Sequence, residues 1–111
     1  MEFTVIDRGA DVAIIQPSGR LNMVSAGRLR EVIAEVVAGG RTRIAVDLAG
    51  VDFIDSSGLG ALISGLKTAR QAGGDLRIAA PTDQVKLVLQ LTNMERVLTA
   101  FDSAETAFSN D

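Results

Sequence analysis

At 111 residues and 11.6 kDa, the chain has the length of one domain, residues 1–111, able to bury a core without covalent staples. It contains no His and no Cys, which removes Ser-His-Asp and Cys-His catalysis, thiolate chemistry, disulfides and nearly every zinc or iron site. Eleven basic against 14 acidic residues give a net charge of -3 and a pI near 4.8, which argues against a nucleic-acid footprint. With Tyr and Trp also absent, aromatic cages and most base-stacking platforms are gone. No stretch reaches the ~18 apolar residues of a membrane span, and Met1-Glu2-Phe3-Thr4 does not open like a signal peptide. The expectation is a cytoplasmic, soluble protein without cofactor or metal.

Phe3-Thr4-Val5-Ile6 and Asp11-Val12-Ala13-Ile14-Ile15-Gln16 read as two strands around a hairpin loop, Asp7-Arg8-Gly9-Ala10, with Pro17 closing the second. Leu29, Val32, Ile33, Val36 and Val37 recur at helical spacing behind Ser25 as N-cap. Gly39-Gly40 supplies the stop. Arg43–Leu48 is a short apolar run of the kind a strand covered on both faces needs. A second helix carries Leu59, Leu62, Ile63 and Leu66 and ends at Gly73-Gly74. Leu76–Ala80 is a strand stopped by Pro81. Thr82 or Asp83 can cap a third helix, where Leu87, Leu89, Leu91 and Met94 are assigned to the core. Val97-Leu98-Thr99 is a further strand candidate, and Asp102 and Glu105 have capping-box spacing for a last short helix with Ala104, Ala107 and Phe108. The order ββαβαβαβα predicts an α/β fold with a mixed, largely parallel sheet of about five strands.

One segment holds more polar and small residues than its connection requires. Between the strand ending near Leu48 and the helix starting near Ser57, the chain reads Val51-Asp52-Phe53-Ile54-Asp55-Ser56-Ser57-Gly58-Leu59-Gly60. A carboxylate, two hydroxyls and two glycines thus meet at a helix N-terminus, where N–H groups point outward unpaired. Asp55, Ser56 or Ser57 can serve as a plain N-cap, but one cap suffices, and two glycines in the first turns cost roughly 1 kcal/mol each relative to Ala. Small residues there suit a surface that another molecule approaches closely. A dinucleotide fingerprint is disfavoured because the third glycine is missing. A serine nucleophile would have only Lys67 or an Asp as base, and the string is not G-x-S-x-G. A regulated phosphoacceptor fits the chemistry, since a phosphoserine would place about -1.5 to -2 charges on the positive end of a helix dipole.

Phe53-Ile54-Asp55-Ser56-Ser57-Gly58-Leu59-Gly60 resembles the signature of the STAS domain, in particular that of bacterial anti-sigma factor antagonists. The likeness extends over nearly the whole chain, because the element order agrees and Gly19-Arg20-Leu21-Asn22 stands where the family has a Gly-x-Leu-Asp turn. The resemblance implies partner switching. The unphosphorylated antagonist would bind an anti-sigma factor that is also a serine kinase, releasing a sigma factor, and a PP2C-type phosphatase would reverse phosphorylation. By position the resemblance makes Ser57 the phosphoacceptor and places Asn22, Asp55, Ser56, Ser57, Gly58, Leu59 and Gly60 in the docking surface. Such a protein is a substrate rather than an enzyme and needs no catalytic residue of its own. The chain departs from the family at Asn22, where Asp is usual; Asn keeps the shape and removes a charge, and equally suits a plain turn. Other members of the family serve as subunits of lipid-transport ATP-binding-cassette complexes or of stress-sensing assemblies, which stand as the alternative.

Overall fold

The computed structural model describes residues 1–9 and 11–109; Ala10, placed by the sequence in the hairpin loop, lies outside them. Two strands open the chain, β1 (Glu2–Asp7) and β2 (Val12–Leu21), followed by helix α1 (Ala26–Ala38) and β3 (Arg43–Asp47). Then come β4 (Val51–Ile54), α2 (Ser56–Gln71), β5 (Asp75–Ala79), α3 (Asp83–Leu91) and the two-residue β6 (Ala100–Phe101). Single 3-10 turns at Met94–Arg96 and Ala104–Thr106 flank β6.

The sheet runs β1-β2-β3-β5-β6, with β1 antiparallel to β2 and the remaining pairs parallel. Strand alternation gives each face its own core. Ala13, Ile15, Ile44, Val46, Leu76 and Ile78 meet the apolar stripes of the helices, among them Leu29, Ile33, Leu62, Leu66, Val85 and Leu89. One residue out of phase, Ile14 and Ala45 face the other way and pack with Ile6, Phe101, Ala104, Ala107 and Phe108. The C-terminal segment is thus the cover of the second face. Arg77 anchors it, donating to the Ala107 carbonyl at 2.7 Å with its guanidinium 4.5 Å from the Phe108 ring centroid.

Five local expectations change. Pro17 does not close β2, which continues to Leu21. β2 pairs with β3 only through Ile15 and with β4 only from Gly19. The N–H that Pro17 lacks would have pointed into the gap between those two partners, so its absence costs no ladder bond. The stretch read as a connector before α2 carries a strand of its own, β4, too short for its periodicity to show. At the C-terminal end, Leu98 is buried beyond a 3-10 turn and the strand falls at Ala100–Phe101. The last helix is reduced to a turn capped by Ser103, whose hydroxyl accepts from Glu105 N at 3.2 Å in place of Asp102. Of the four residues Leu87, Leu89, Leu91 and Met94, only Leu89 is buried and Met94 partly so; Leu87 and Leu91 are 53% and 74% exposed. A nine-residue helix covering one edge of the sheet has one inward stripe, and these two leucines lie off it.

Candidate functional site

The signature segment sits where β2 ends. β4 lies beside the last residues of β2, with Arg20 opposite Phe53 and Leu21 opposite Ile54, and the Arg20 guanidinium stacks 4.1 Å from the Phe53 ring centroid. Among the described residues no strand pairs with the outer edge of β4. Two α3-end side chains replace one: Gln84 accepts from Ile54 N at 2.9 Å and donates to Ile54 O at 3.1 Å, while Thr82 donates to Val51 O at 2.9 Å. Thr82 therefore occupies the cap position of α3 without capping it. Neither role against β4 was visible in the sequence, where Thr82 reads as a cap of the third helix and a lone Gln at a helix start is common.

Asp55 alone caps α2. Its Oδ1 accepts from Gly58 N at 2.9 Å, and its own N–H donates to the Leu21 carbonyl at 3.3 Å. Ser56 and Ser57 fall inside the first turn, Ser56 exposed and Ser57 half-buried. Among the described residues neither hydroxyl has a hydrogen-bond partner. Of the three cap candidates, two are thus free of structural duty. Gly58 has a different reason for being glycine: a Cβ there would overlap the Leu21 carbonyl oxygen and lie 2.9 Å from its carbonyl carbon. Gly60 has no such constraint, since a Cβ would meet only Arg30 Nη2 at 3.5 Å. Leu59 turns inward to the core and supports the site rather than presenting itself at the surface.

Asn22 begins the loop that enters α1. Its side-chain oxygen accepts from Val24 N at 3.0 Å and from Ser25 N at 3.4 Å, an Asx turn. Ser25 marks the N-cap position but does not cap: its hydroxyl accepts from Asn22 N at 3.0 Å and donates to Arg20 O at 2.7 Å. The turn holds Met23 and Val24 outward, 77% and 87% exposed. Because Leu21 binds Asp55, this apolar loop tip and the free serines belong to one end of the domain. Sequence reasoning passed over Met23 and Val24; their signal was two apolar residues standing between a strand end and a helix start, outside either period. Among the described residues no cluster of acidic side chains could hold a metal ion, and no helix is long and apolar enough to cross a membrane.

A mixed sheet with helices on one face, and a site built from a strand end, an Asx loop and an aspartate-capped helix, define a small α/β domain whose chemistry is displayed rather than enclosed. The chain belongs to the STAS domain family, whose model matches residues 4–107. A Thermotoga maritima protein provisionally described as an anti-sigma factor antagonist is 33% identical over 98 residues, 87% of each chain. A crystal structure of a protein of that description from the same organism superposes with a TM-score of 0.83 at 28% identity, covering 97% of this chain and 91% of that one. The anti-sigma-F factor antagonist RsfB of Mycobacterium tuberculosis is 27% identical over 108 residues, 96% of this chain and 85% of its own. The Bacillus protein SpoIIAA, solved in unphosphorylated and phosphorylated forms, shares the fold, with a TM-score of 0.72 for each. Identity is 20% and 19%, with 94% and 95% of this chain and 91% and 96% of those chains covered.

Proposed function

We propose that this chain is a cytoplasmic, single-domain anti-sigma factor antagonist controlled by phosphorylation of Ser57. In its unphosphorylated form it binds an anti-sigma factor that is also a serine kinase, and a sigma factor is released. The kinase transfers the γ-phosphoryl of ATP to Ser57 Oγ; ADP leaves and the hydroxyl proton passes to a base on the kinase. A PP2C-type phosphatase returns the serine. The chain acts as ligand and substrate, not as an enzyme, so its want of His and Cys costs it nothing.

The observation that carries this reading is the division of labour in the first turn of α2. Asp55 makes the cap bond at 2.9 Å, leaving two serine hydroxyls without partners among the described residues, at the same end of the domain as an outward-facing apolar loop tip. Between them, Ser57 is chosen by its place in the family signature, and it sits within reach of the helix dipole that favours an added anion. A phosphate there would set fixed negative charge in a contact that must otherwise be desolvated, and unfavourable charge juxtaposition can cost several kcal/mol. The names of the curated relatives and the two states of SpoIIAA support the same role.

The test is a paired capture from lysate of the source organism, with Ser57→Ala and Ser57→Asp as baits, followed by phosphorylation with the purified kinase. The expected result is that the alanine bait alone retrieves an ATPase-fold serine kinase, which then labels the wild type and not Ser57→Ala, although Ser56 is intact. Retrieval by both baits of transporter subunits or other STAS proteins would overturn the proposal.

A further inference from the structure

We infer that Arg30 is the built-in counter-ion of a phosphate on Ser57, an inference that rests on the phosphoserine reading above. The charged groups around this end of the domain are nearly all committed. Arg20 is stacked on Phe53; Arg28 pairs with Glu31 at 3.1 Å and Glu35 at 3.6 Å; Asp55 is spent on the cap. The Asn22–Ser25 loop carries no charge. Asp52 is exposed on β4, and Lys67 lies ten residues beyond Ser57, about 15 Å along the helix. On α3, Asp83 and Lys86 are exposed, and the side chain that α3 extends toward β4 is the neutral Gln84. Arg30 is different: among the described residues it has neither ion-pair nor hydrogen-bond partner.

Its position is specific. α1 and α2 pack side by side and run in the same direction, since each returns the chain between parallel strands. Arg30 and Gly60 are each the fifth residue of their helix, and Arg30 Nη2 lies 3.5 Å from where a Cβ would stand on Gly60. Gly60 is one turn on from Ser57, on the same face, with about 5–6 Å between such positions. Long helical side chains lean toward the N-terminus of their own helix, which for Arg30 is the direction of Ser57. The bare backbone at Gly60 leaves the space that the guanidinium crosses, which gives a reason for a glycine that packing does not require. Phosphorylation then does two things to the docking face. It adds an anion, and it occupies the one arginine of the face otherwise available to an acidic group on a partner.

The experiment installs phosphoserine at position 57 by genetic code expansion, so no kinase is needed, and follows the ³¹P chemical shift through a pH titration. Wild type, Arg30→Met and Arg30→Lys are compared after circular dichroism shows each to be folded. Pairing with Arg30 favours the dianion, so the phosphate's second pKa should be lower in the wild type than in Arg30→Met by roughly 0.3–0.7 unit, as for an exposed ion pair. Arg30→Lys should lie between, and the difference should shrink in high salt. In the wild type the Arg30 Nε resonance should also shift on phosphorylation. Equal midpoints in wild type and Arg30→Met, with Arg30 Nε unmoved, would overturn the inference. Failure of the native kinase to modify Ser57 would instead overturn the functional proposal and leave this titration unaffected.

Discussion

Replacing Gly58 by alanine should damage this domain, whereas the same change two residues on should strengthen it. At position 58 the new Cβ would overlap the Leu21 carbonyl oxygen and stand 2.9 Å from both its carbonyl carbon and Cγ. The obstacle is backbone, so α2 must lift away from β2, weakening the 3.3 Å bond from Asp55 N to Leu21 O and the packing of Leu59 and Leu62. Overpacking of this kind costs about 3 kcal/mol, and helix propensity returns about 1 kcal/mol, leaving a net loss of about 2 kcal/mol. At position 60 the Cβ meets only Arg30 Nη2 at an ordinary 3.5 Å, so the propensity gain of about 1 kcal/mol stands alone. For 111 residues the unfolding entropy is about 0.23 kcal/mol/K, so Tm should fall by about 9 °C for Gly58→Ala and rise by about 4 °C for Gly60→Ala. Thermal melts followed by far-ultraviolet circular dichroism suit a chain lacking Trp and Tyr. A Gly58→Ala variant melting within about 2 °C of wild type, or a Gly60→Ala variant as damaged as Gly58→Ala, would refute the close approach on which the site geometry rests.

Gln84→Ala removes two hydrogen bonds to Ile54 and should cost about 2 kcal/mol in urea unfolding, with faster exchange of the Ile54 amide; unchanged exchange would mean that the glutamine does not hold β4. Leu89→Ala, at a position 3% exposed, should cost about 2–5 kcal/mol. Leu91→Gln should stay within about 0.5 kcal/mol, and equal losses would restore Leu91 to the core. The Arg8 side chain donates to Glu105 through Nε at 2.9 Å and Nη2 at 2.8 Å, and this hydrogen bonding holds the Glu105 carboxyl below its usual range. A depressed folded pKa contributes stability above the unfolded value, about 4.3, which is lost as pH falls through the folded value. The Glu105 carboxyl carbon should therefore titrate at lower pH in the wild type than in Arg8→Gln, and coincident curves would show the pair to be idle.

Much of this architecture was legible because the periods are clean. The α1 stripe from Leu29 to Val36 and the β3 run Ile44-Ala45-Val46 could be nothing else, and the helix stops at Gly40 and Gly73 have φ of 95° and 89°, as glycine placed there implies. What escaped was whatever depends on a partner distant in sequence. Pro17 ends a strand by local rule, and only the change of neighbours along β2 makes it harmless. β4 is four residues long and is defined by the end of β2 and by Gln84, thirty positions away. Leu87 and Leu91 look like core by composition, but a single-stripe helix over a sheet edge has room for Leu89 and not for them. At the site, the string from Asp55 to Gly60 announced itself, yet which residue capped, which glycine was sterically required and which arginine was left over were matters of three-dimensional bookkeeping.

The division of β2 between two partners bears on how signals move through so small a domain. β3 and β5 hydrogen-bond through the middle of the sheet, whereas β4 hangs from the far end of β2 beyond a register shift between Gly19 and Arg20. A charge added at Ser57, or a protein pressed against it, loads a side branch of the hydrogen-bond network rather than its trunk. The trunk can therefore stay rigid while the branch changes its chemistry, and two states of the surface need not be two shapes of the chain. On the proposed reading, such a domain would communicate by what it displays, without requiring a transition of the sheet.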